Sequence, residues 1–364
     1  MTKKGAILYL EEKMMEAKMN NPFNITFGEE PTNYIPRDAE ANQVTTTFNS
    51  DSPESKVFIL AGPRGCGKTV LLSHIKRIYD KKENWLTVDL NPYGDMVEQM
   101  CAKIYERGKI KHLFLKLDFN FSFKGFGFSI QGDTPVSNIE SLAEKMFLYL
   151  KKKKIKVLIT IDDVIKNPQM QYFIHSYQSY IREQYDVYLL MSGLYENISS
   201  LENDKGLTFL VRAPKIYLEK LSQVAITNSY MYLLNVDKQT AINLSKTTMG
   251  YAYGYQLLGN LLFKNNLKID NELMAKYDSI LEGNVYSLIW KELSNKDKQI
   301  LLLIAEGNIK NADILAKSGL TNSALQVYKN RLFKAGLIDV TNRGIITLAL
   351  PRFKEYILLQ KEFE

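Results

Sequence analysis

The sequence has few of the residues that build disulfide scaffolds and metal centres. Its 364 residues include two cysteines, Cys66 and Cys101, and three histidines, His74, His112 and His175. Disulfide-stabilised folds use more cysteines in a shorter chain, and these histidines are not spaced as metal ligands. We therefore expect neither a disulfide framework nor metal-dependent nuclease or protease chemistry.

Long apolar runs are missing too. No run is long enough to span a bilayer, and residues 1–6 do not read as a cleavable leader. Hydrophobic residues make up 45% of the chain and charged residues 24%, as in an ordinary globular protein. We expect a soluble, cytoplasmic protein of two or three domains without a membrane partner. The net charge of +7 permits contact with a polyanion without requiring it.

A glycine-rich loop stands between a strand pattern and a helix pattern. Residues 56–61 read KVFILA, which is typical of a buried parallel strand, and residues 62–69 read GPRGCGKT, which fits G-x-x-x-x-G-K-[ST]. An apolar-periodic helix pattern follows. The motif predicts a site for ATP with Mg²⁺. Its candidate nucleotide-binding residues are Gly62, Pro63, Arg64, Gly65, Cys66, Gly67, Lys68, Thr69 and Val70.

The residue types of this loop, residues 62–69, suit the binding of phosphate and magnesium. The glycines allow backbone conformations that turn amide groups toward phosphate oxygens, and the following helix adds its positive N-terminal end. Lys68 can reach the terminal phosphates, and the Thr69 hydroxyl can hold magnesium. The alternative is a chance glycine-rich turn, which the flanking strand and helix disfavour.

A second strand pattern ends in two acids. Residues 156–163 read KVLITIDD, and we expect this strand to neighbour the strand that leads into the loop. By position, Asp162 holds magnesium through water, and the Asp163 carboxylate can polarise the attacking water. Asp163 and Lys68 are therefore candidate catalytic residues. Because aspartate is shorter than glutamate, we expect slow hydrolysis. A strand followed by a solvated acidic turn is the alternative.

Further segments carry a family resemblance. Residues 35–40 read IPRDAE, residues 186–192 read DVYLLMS and residues 250–259 read GYAYGYQLLG. With the loop and the acidic strand, they resemble the AAA+ superfamily and the related STAND ATPases over nearly the whole chain. The resemblance is strongest to the branch near the origin-recognition initiators.

The resemblance implies additional site residues. Ile35 and Arg37 correspond to the box that lies against adenine, although Pro36 replaces the family glycine, and a plain surface loop is the alternative. Ser192 falls where the family has a polar sensor of the terminal phosphate, or else is a simple cap residue. Arg212 lies where relatives carry an arginine that neutralises phosphate charge in the same or a neighbouring subunit; a surface arginine is the other interpretation.

Residues 222–282 read as helices and resemble the family's lid. Tyr253 and Gln256 are candidates for nucleotide or lid contact, with helix packing as the other role. Ala252 stands in the position of the family proline, and no second-sensor arginine is present. ATP binding is therefore a firmer expectation than ATP turnover.

The remaining pattern defines the expected fold. Strand 85–90 and helix 95–107 continue an alternation that requires a parallel sheet with helices on both faces, the α/β architecture of P-loop NTPases. Residues 115–130 predict an inserted hairpin that shields the core or stacks on bases or a partner. We expect an ATPase core over residues 1–220, a helical lid over 221–288 and a winged helix-turn-helix domain over 289–364.

The C-terminal part resembles a winged helix closely. Helices are expected from Ser294 to Glu306, over 311–317 and over 321–334, followed by strands 337–340 and 344–348. In a DNA reader the third helix enters the major groove and the wing touches the backbone. Winged helices also dock proteins. The candidate DNA-binding residues are Thr321, Asn322, Ser323, Gln326, Lys329, Arg331, Lys334 and Arg343.

These features favour a slowly hydrolysing ATP-dependent switch that binds double-stranded DNA. The alternative keeps ATP binding but makes the protein a scaffold that recruits a protein partner or a second copy of itself. A small-molecule kinase is the third hypothesis, and it is disfavoured because a lid and a winged helix would have no purpose there.

Overall fold

The structure is a computed structural model. It describes residues 21–26, 31, 33–107, 119–123, 128–130, 134–135 and 138–363. The chain divides into two compact units. The first unit contains Arg37–Ala61 and Lys68–Leu218, and the second contains the described residues of Met1–Pro36 with Gly62–Gly67 and Glu219–Glu364. In the part of the chain that is described, no helix combines the length and apolarity that crossing a bilayer requires.

The first unit is built on a parallel sheet of five strands in the order β2-β6-β7-β1-β8. The strands of the whole first unit, which include the separate small sheet of β3, β4 and β5, are in chain order β1 (Val57–Ala61), β2 (Trp85–Asp89), β3 (Phe119–Phe123), β4 (Phe128–Ile130), β5 (Thr134–Pro135), β6 (Lys156–Ile161), β7 (Val187–Gly193) and β8 (Lys215–Tyr217). Its helices are α1 (Asp38–Asn49), α2 (Lys68–Asp80), α3 (Met96–Glu106), α4 (Ile139–Lys152), α5 (Pro168–Arg182) and α6 (Tyr195–Glu202).

Helices cover both faces of this sheet, which explains why its strands are almost continuously apolar. Alternate residues of a strand point to opposite faces. Ile59 belongs to the apolar cluster that includes residues of α3, α4 and α5. Its neighbour Phe58 packs edge-on against Phe48 of α1, with ring centroids 5.5 Å apart. The expected α/β sheet with helices on both faces is confirmed.

The strand order corrects one expectation. The acidic strand β6 is not the immediate neighbour of β1, because β7 pairs in parallel with both and lies between them. After β6 the chain returns through α5 and inserts β7 into this position. A residue at the carboxyl end of β7 therefore lies between the strand that leads into the loop and the strand that ends in the acids.

The expected hairpin insert is present as a small three-stranded sheet. Strands β3 and β4 pair antiparallel, and the short β5 pairs in parallel with β3, which the sequence pattern did not indicate. Phe123 is fully buried in the core cluster of the first unit. This burial agrees with the core-shielding interpretation. Residues 115–118 and 124–127 of the predicted hairpin lie outside the described residues.

The second unit is helical apart from a small wing. Its helices are α7 (Gln223–Leu234), α8 (Lys238–Thr248), α9 (Ala252–Lys264), α10 (Asn271–Leu281), α11 (Ser287–Glu292), α12 (Asn295–Ala305), α13 (Asn311–Ser318), α14 (Asn322–Lys334) and α15 (Phe353–Phe363). A π-helical turn, Glu282–Tyr286, joins α10 to α11. The unit includes residues 221–288, expected as the lid, and residues 289–364, expected as the winged helix.

The C-terminal pattern is that of a winged helix. Helices α12, α13 and α14 are followed by β9 (Ile338–Asp339) and β10 (Thr347–Leu348), which pair antiparallel. A capping box between Ser294 and Asp297 begins α12. Gly319, at φ +67°, ends α13 in the left-handed conformation typical of a helix C-terminus. The sequence pattern did not indicate α15.

An ion pair joins the wing to the segment before α7. Because its carboxylate titrates in acid, part of the stability of the folded protein should depend on pH. Asp339 lies 3.0 Å from Lys220 and accepts hydrogen bonds from the hydroxyl and the backbone amide of Thr341. The Thr341 hydroxyl first, and then its amide and Lys220, hold the pKa of Asp339 at about 2. Since an unfolded aspartate has a pKa of about 3.9, this stabilisation is present above pH ~4 and is lost as the pH falls toward ~2.

We expect Asp339→Asn to remove this pH-dependent contribution. Between about pH 5 and pH 2, the free energy of unfolding of the wild type should fall by roughly 1 kcal/mol more than that of the variant, after allowance for solvent screening. Urea denaturation at both pH values measures the difference. The control is Asp313→Asn, at an exposed position. Parallel pH curves for wild type and Asp339→Asn would contradict the prediction.

Candidate functional site

The glycine-rich loop leaves the carboxyl end of β1 and enters α2 at Lys68. Gly65 and Gly67 have φ values of +69° and +97°, in the region that glycine tolerates best. The Cys66 amide donates to the Pro63 carbonyl at 3.4 Å. The first turn of α2 has no acidic residue. Its positive N-terminal end is therefore not compensated by a carboxylate from its own first turn.

At the edge of the first unit's sheet lies a carboxylate whose two oxygens each accept a hydrogen bond from a hydroxyl group. The Thr69 hydroxyl donates to Asp162 Oδ2 at 2.7 Å, and the Ser192 hydroxyl donates to Asp162 Oδ1. Ser192 is fully buried. The structure thus brings together both predicted metal residues, and it adds a contact between Asp162 and the predicted sensor Ser192.

The strand register explains this arrangement. Ile161 of β6 pairs with Met191 of β7, so the next residues, Asp162 and Ser192, meet at the carboxyl edge. Thr69 comes to the same edge because it lies in the first turn of α2, the helix after the loop. Hydroxyl and carboxylate oxygens are the ligands that Mg²⁺ prefers. The two side chains are close enough to reach one ion, and their chemistry fits the expected metal.

Asp163 occupies an unusual backbone position. Its φ is +50°, in the left-handed region that costs a non-glycine residue on the order of 1 kcal/mol and that aspartate and asparagine tolerate best. Its amide donates to the Ser192 hydroxyl at 3.4 Å, and the Val164 amide donates to the Ser192 carbonyl at 2.8 Å. Ser192 therefore contacts both acids, and the turn exposes Asp163 to solvent.

A cavity of about 500 Å³ opens beside Thr69 and Asp162. Its wall includes Asp89, which the sequence analysis did not single out. Asp89 accepts a hydrogen bond from Thr160 and lies 3.1 Å from Lys76. The sequence offered one signal for Asp89, which is an acid at the end of a strand pattern. Because all strands of a parallel sheet end at the same edge, such an acid is expected near the site. The lining residues are Thr69, Leu72, Ser73, Lys76, Arg77, Asp89, Leu90, Asn91, Pro92, Thr160 and Asp162.

The expected adenine-side residues have structural contacts of their own. Ile35 packs against the apolar cluster of the second unit. Arg37 precedes α1 in the first unit and pairs with Glu40 at 3.2 Å. Their contact with nucleotide stays a prediction.

Gln256 on α9 binds the N-terminal segment. Its side chain accepts from the Asn24 amide at 3.2 Å and donates to the Asn33 carbonyl at 2.7 Å. Phe23 is buried beside it, with its ring 5.6 Å from that of Tyr255. These contacts agree with the packing interpretation of Gln256.

Arg212 lies at the end of a 3₁₀ turn, Thr208–Arg212, and is exposed. This position agrees with a surface arginine and equally with one that acts on a neighbouring subunit. Its role stays a prediction.

Most of the predicted DNA-contacting residues lie on the surface of the second unit. Thr321 is the N-cap of α14 and accepts from the Ala324 amide. Arg343, at the tip of the wing, is exposed. Lys329 is half-buried and donates to Asn311 at 3.3 Å, and Lys334 is half-buried as well. The other exposed positions of the predicted set are Asn322, Ser323 and Gln326.

Arg331, a candidate DNA-binding residue, has structural contacts within the domain, and its role at DNA stays a prediction. Its guanidinium pairs with Asp297, whose side chain is 3% exposed, and donates to the Ser294 hydroxyl at 3.1 Å. It also lies over the ring of Tyr328. Asp297 is the acid of the capping box that begins α12, and a buried carboxylate is strongly destabilising without a cation. Arg331 supplies this cation. The sequence showed the capping serine but not its partner, because the two elements are far apart in the chain.

Comparison with known proteins agrees with this geometry. Residues 37–107 match the KAP family P-loop domain. This match covers β1, the loop, α2 and β2, the segment that contains the nucleotide motif. The fold is that of a P-loop ATPase. Residues 283–357 match a domain of unknown function (DUF8462), and no curated protein sequence matches the chain.

Solved structures show the same fold over nearly the whole chain. A Walker-type ATPase of Pyrococcus abyssi is similar with a TM-score of 0.62 and 12% identity, over 90% of this chain and 97% of that one. The ORC2 protein of Aeropyrum pernix, in ADPNP and ADP complexes, is similar with a TM-score of 0.59 and 13% identity, over 93% of this chain and 98% of that one. The chain therefore shares the fold of these two proteins over nearly its whole length.

The contact between Arg331 and Asp297 predicts a large effect on stability. We expect Arg331→Ala to lower the free energy of unfolding by about 3 kcal/mol, because it leaves a buried carboxylate without its cation. Lys354→Ala, at an exposed position on α15, is the control and should change stability by less than about 0.5 kcal/mol. Denaturant unfolding measures both. Equal stability of the two variants would show that Asp297 does not depend on Arg331.

Proposed function

We propose that this protein is an ATP- and Mg²⁺-binding switch that hydrolyses ATP slowly and whose winged helix binds double-stranded DNA. The observation that carries the nucleotide part is the contact between Thr69 and Asp162, 2.7 Å apart at the end of a glycine-rich loop. In P-loop ATPases the metal neutralises the charge of the terminal phosphates. The loop's glycines and its lysine follow the residue pattern that binds those phosphates.

Each residue has a defined task in this proposal. The backbone amides of the loop, apart from Pro63, which has no N–H, and the ammonium group of Lys68 bind phosphate oxygens. Thr69 and Asp162 hold the metal, and the buried hydroxyl of Ser192 keeps the Asp162 carboxylate in position. Asp163 accepts a hydrogen bond from the attacking water and so polarises it. We expect slow turnover, because its side chain is one methylene shorter than glutamate.

Binding and turnover can be separated by two substitutions. We expect Lys68→Ala to weaken ATP binding by about 30-fold or more, because a charged contact to phosphate is lost. Asp163→Asn should leave affinity within about twofold but lower the hydrolysis rate about 100-fold. Asparagine accepts the left-handed backbone at this position, so folding should be preserved.

Calorimetric ATP titration and phosphate release measure these two effects. Lys81→Ala, an exposed lysine just beyond the end of α2, is the matched control for Lys68→Ala. If the wild-type protein bound no ATP, or if Lys68→Ala bound it as well as wild type does, the nucleotide part of the proposal would be lost.

The DNA part is supported by the surface of the winged helix. The start of α14 exposes polar side chains, among them Asn322, Ser323 and Gln326, that can donate to or accept from base edges. Arg343 is exposed at the tip of the wing, where it can contact phosphate.

A second candidate function is protein docking by the same helix. Val327 and Phe333 of α14 are 66% and 47% exposed. Exposed apolar side chains are typical of protein interfaces and gain little from the phosphate backbone. In this function ATP would control the recruitment of a protein by the winged helix.

Salt-dependent DNA binding distinguishes the two. We expect Arg343→Glu to weaken duplex binding about tenfold and to lower the slope of log K against log salt by about 1. Lys354→Glu makes the same charge change at an exposed position of α15 and should have a much smaller effect. The measurement is a fluorescence anisotropy titration with and without ATP. Absence of duplex binding, or equal effects of both variants, would favour protein docking.

A further inference from the structure

Three consecutive residues of the phosphate-binding loop contact three different elements of the second unit. Pro63 lies against the turn after α14, since a Cβ on Gly336 would be 2.5 Å from its Cγ. Arg64 Nη2 lies 2.7 Å from Glu292 Oε1 at the end of α11. The Tyr253 amide, in the first turn of α9, donates to the Gly65 carbonyl at 3.0 Å. The loop's contacts therefore extend from the lid helices into the winged helix.

The contact with the start of α9 is buried. The Tyr251 hydroxyl donates to the Arg64 carbonyl at 2.9 Å, and Tyr251 is 4% exposed. Burial raises the pKa of Tyr251 well above its ordinary value, which favours the protonated hydroxyl that donates this hydrogen bond. A Cβ on Gly65 would lie 2.2 Å from this hydroxyl, so the close approach itself requires glycine. These contacts fix the backbone of the loop.

The ion pair with α11, by contrast, is exposed to solvent. The side chains of Arg64 and Glu292 are 38% and 56% exposed, and exposed ion pairs contribute little to stability. The Nε atom of Arg64 is buried and has no hydrogen-bond partner among the described residues. An unpaired buried donor is unfavourable. The guanidinium is therefore weakly held, with donor capacity that Glu292 does not use.

A triphosphate at this loop would attract the same guanidinium. It carries several negative charges, and arginine binds phosphate oxygens through several donors at once. The carboxylate of Glu292 competes for that charge and also repels the phosphates. Any state in which Arg64 turns toward phosphate is a state in which its contact with α11 is weakened.

We propose that Arg64 and Glu292 are positioning residues that couple the terminal phosphates of ATP to the C-terminal half of the protein. This proposal rests on the proposed ATP binding. Glu292 lowers the affinity of the loop for ATP by holding Arg64, and bound ATP weakens the contact between the loop and the end of α11. Because linkage is reciprocal, the two effects have the same size.

Nucleotide affinities of charge-neutral variants test the first effect. We expect Glu292→Gln to bind ATP about three- to tenfold more tightly than wild type at low salt, with a smaller change for ADP, which lacks the terminal phosphate charge. The matched control is Glu306→Gln, which removes the carboxylate of another exposed ion pair of the same unit, 2.6 Å from Lys361. It should leave both affinities unchanged.

A double variant shows whether Glu292 acts through Arg64. In an Arg64→Met background, Glu292→Gln should change ATP affinity by less than about twofold, because the competition for the guanidinium is gone. If the gain stayed as large as in the wild-type background, general repulsion by Glu292 would explain it and the coupling through Arg64 would be wrong. A general loss of packing would alter ATP and ADP binding equally and would likewise overturn the proposal.

Hydrogen exchange tests the reciprocal effect. ATP should speed amide exchange in α11 and the following residues 293–294 of the wild type, and should do so much less in Glu292→Gln. Wild-type protein that binds no ATP would refute the proposed function, and the coupling with it. Wild-type protein that binds ATP with the same affinity as Glu292→Gln would refute the coupling alone.

Discussion

The structure of the candidate site depends on the position of one carboxylate. Asp162 accepts a hydrogen bond on each oxygen, from Thr69 after the loop and from Ser192 on β7. A carboxylate restrained on both sides does not have to reorganise when a cation arrives, and such preorganisation makes electrostatic sites effective. The parallel sheet, the insertion of β7 and the start of α2 together bring these three side chains to one edge.

The phosphate-binding loop makes its contacts within the second unit. Residues Gly62–Gly67 group with the helical unit, although the chain on either side of them belongs to the sheet. A phosphate-binding loop whose backbone is hydrogen-bonded to Tyr251 and Tyr253 cannot change conformation without affecting α9. These contacts support the proposed nucleotide-dependent switch. Whether the winged helix acts on DNA or on protein depends on the surface of α14, which offers polar and apolar side chains.

The sequence predicted those parts of the protein that local pattern determines. The loop from Gly62 to Thr69, the acidic pair after β6 and the capping serine of α12 are short motifs whose chemistry can be recognised without a structure. The insertion of β7 beside β1 and the pairing of Arg331 with Asp297 could not be predicted. They depend on contacts between residues far apart in the chain. The charges on α14 made Arg331 a candidate DNA contact, but a charge count on one helix does not show which charges are already paired.

Magnesium dependence of ATP binding tests the central claim most directly. In a calorimetric titration, wild-type protein should bind ATP at least about tenfold more tightly with Mg²⁺ than with a chelator, because Thr69 and Asp162 hold the ion. In Asp162→Asn the two affinities should be nearly equal. If the wild type bound ATP equally well with and without Mg²⁺, or if Asp162→Asn kept the full difference, the assignment of this carboxylate as the metal ligand would be wrong.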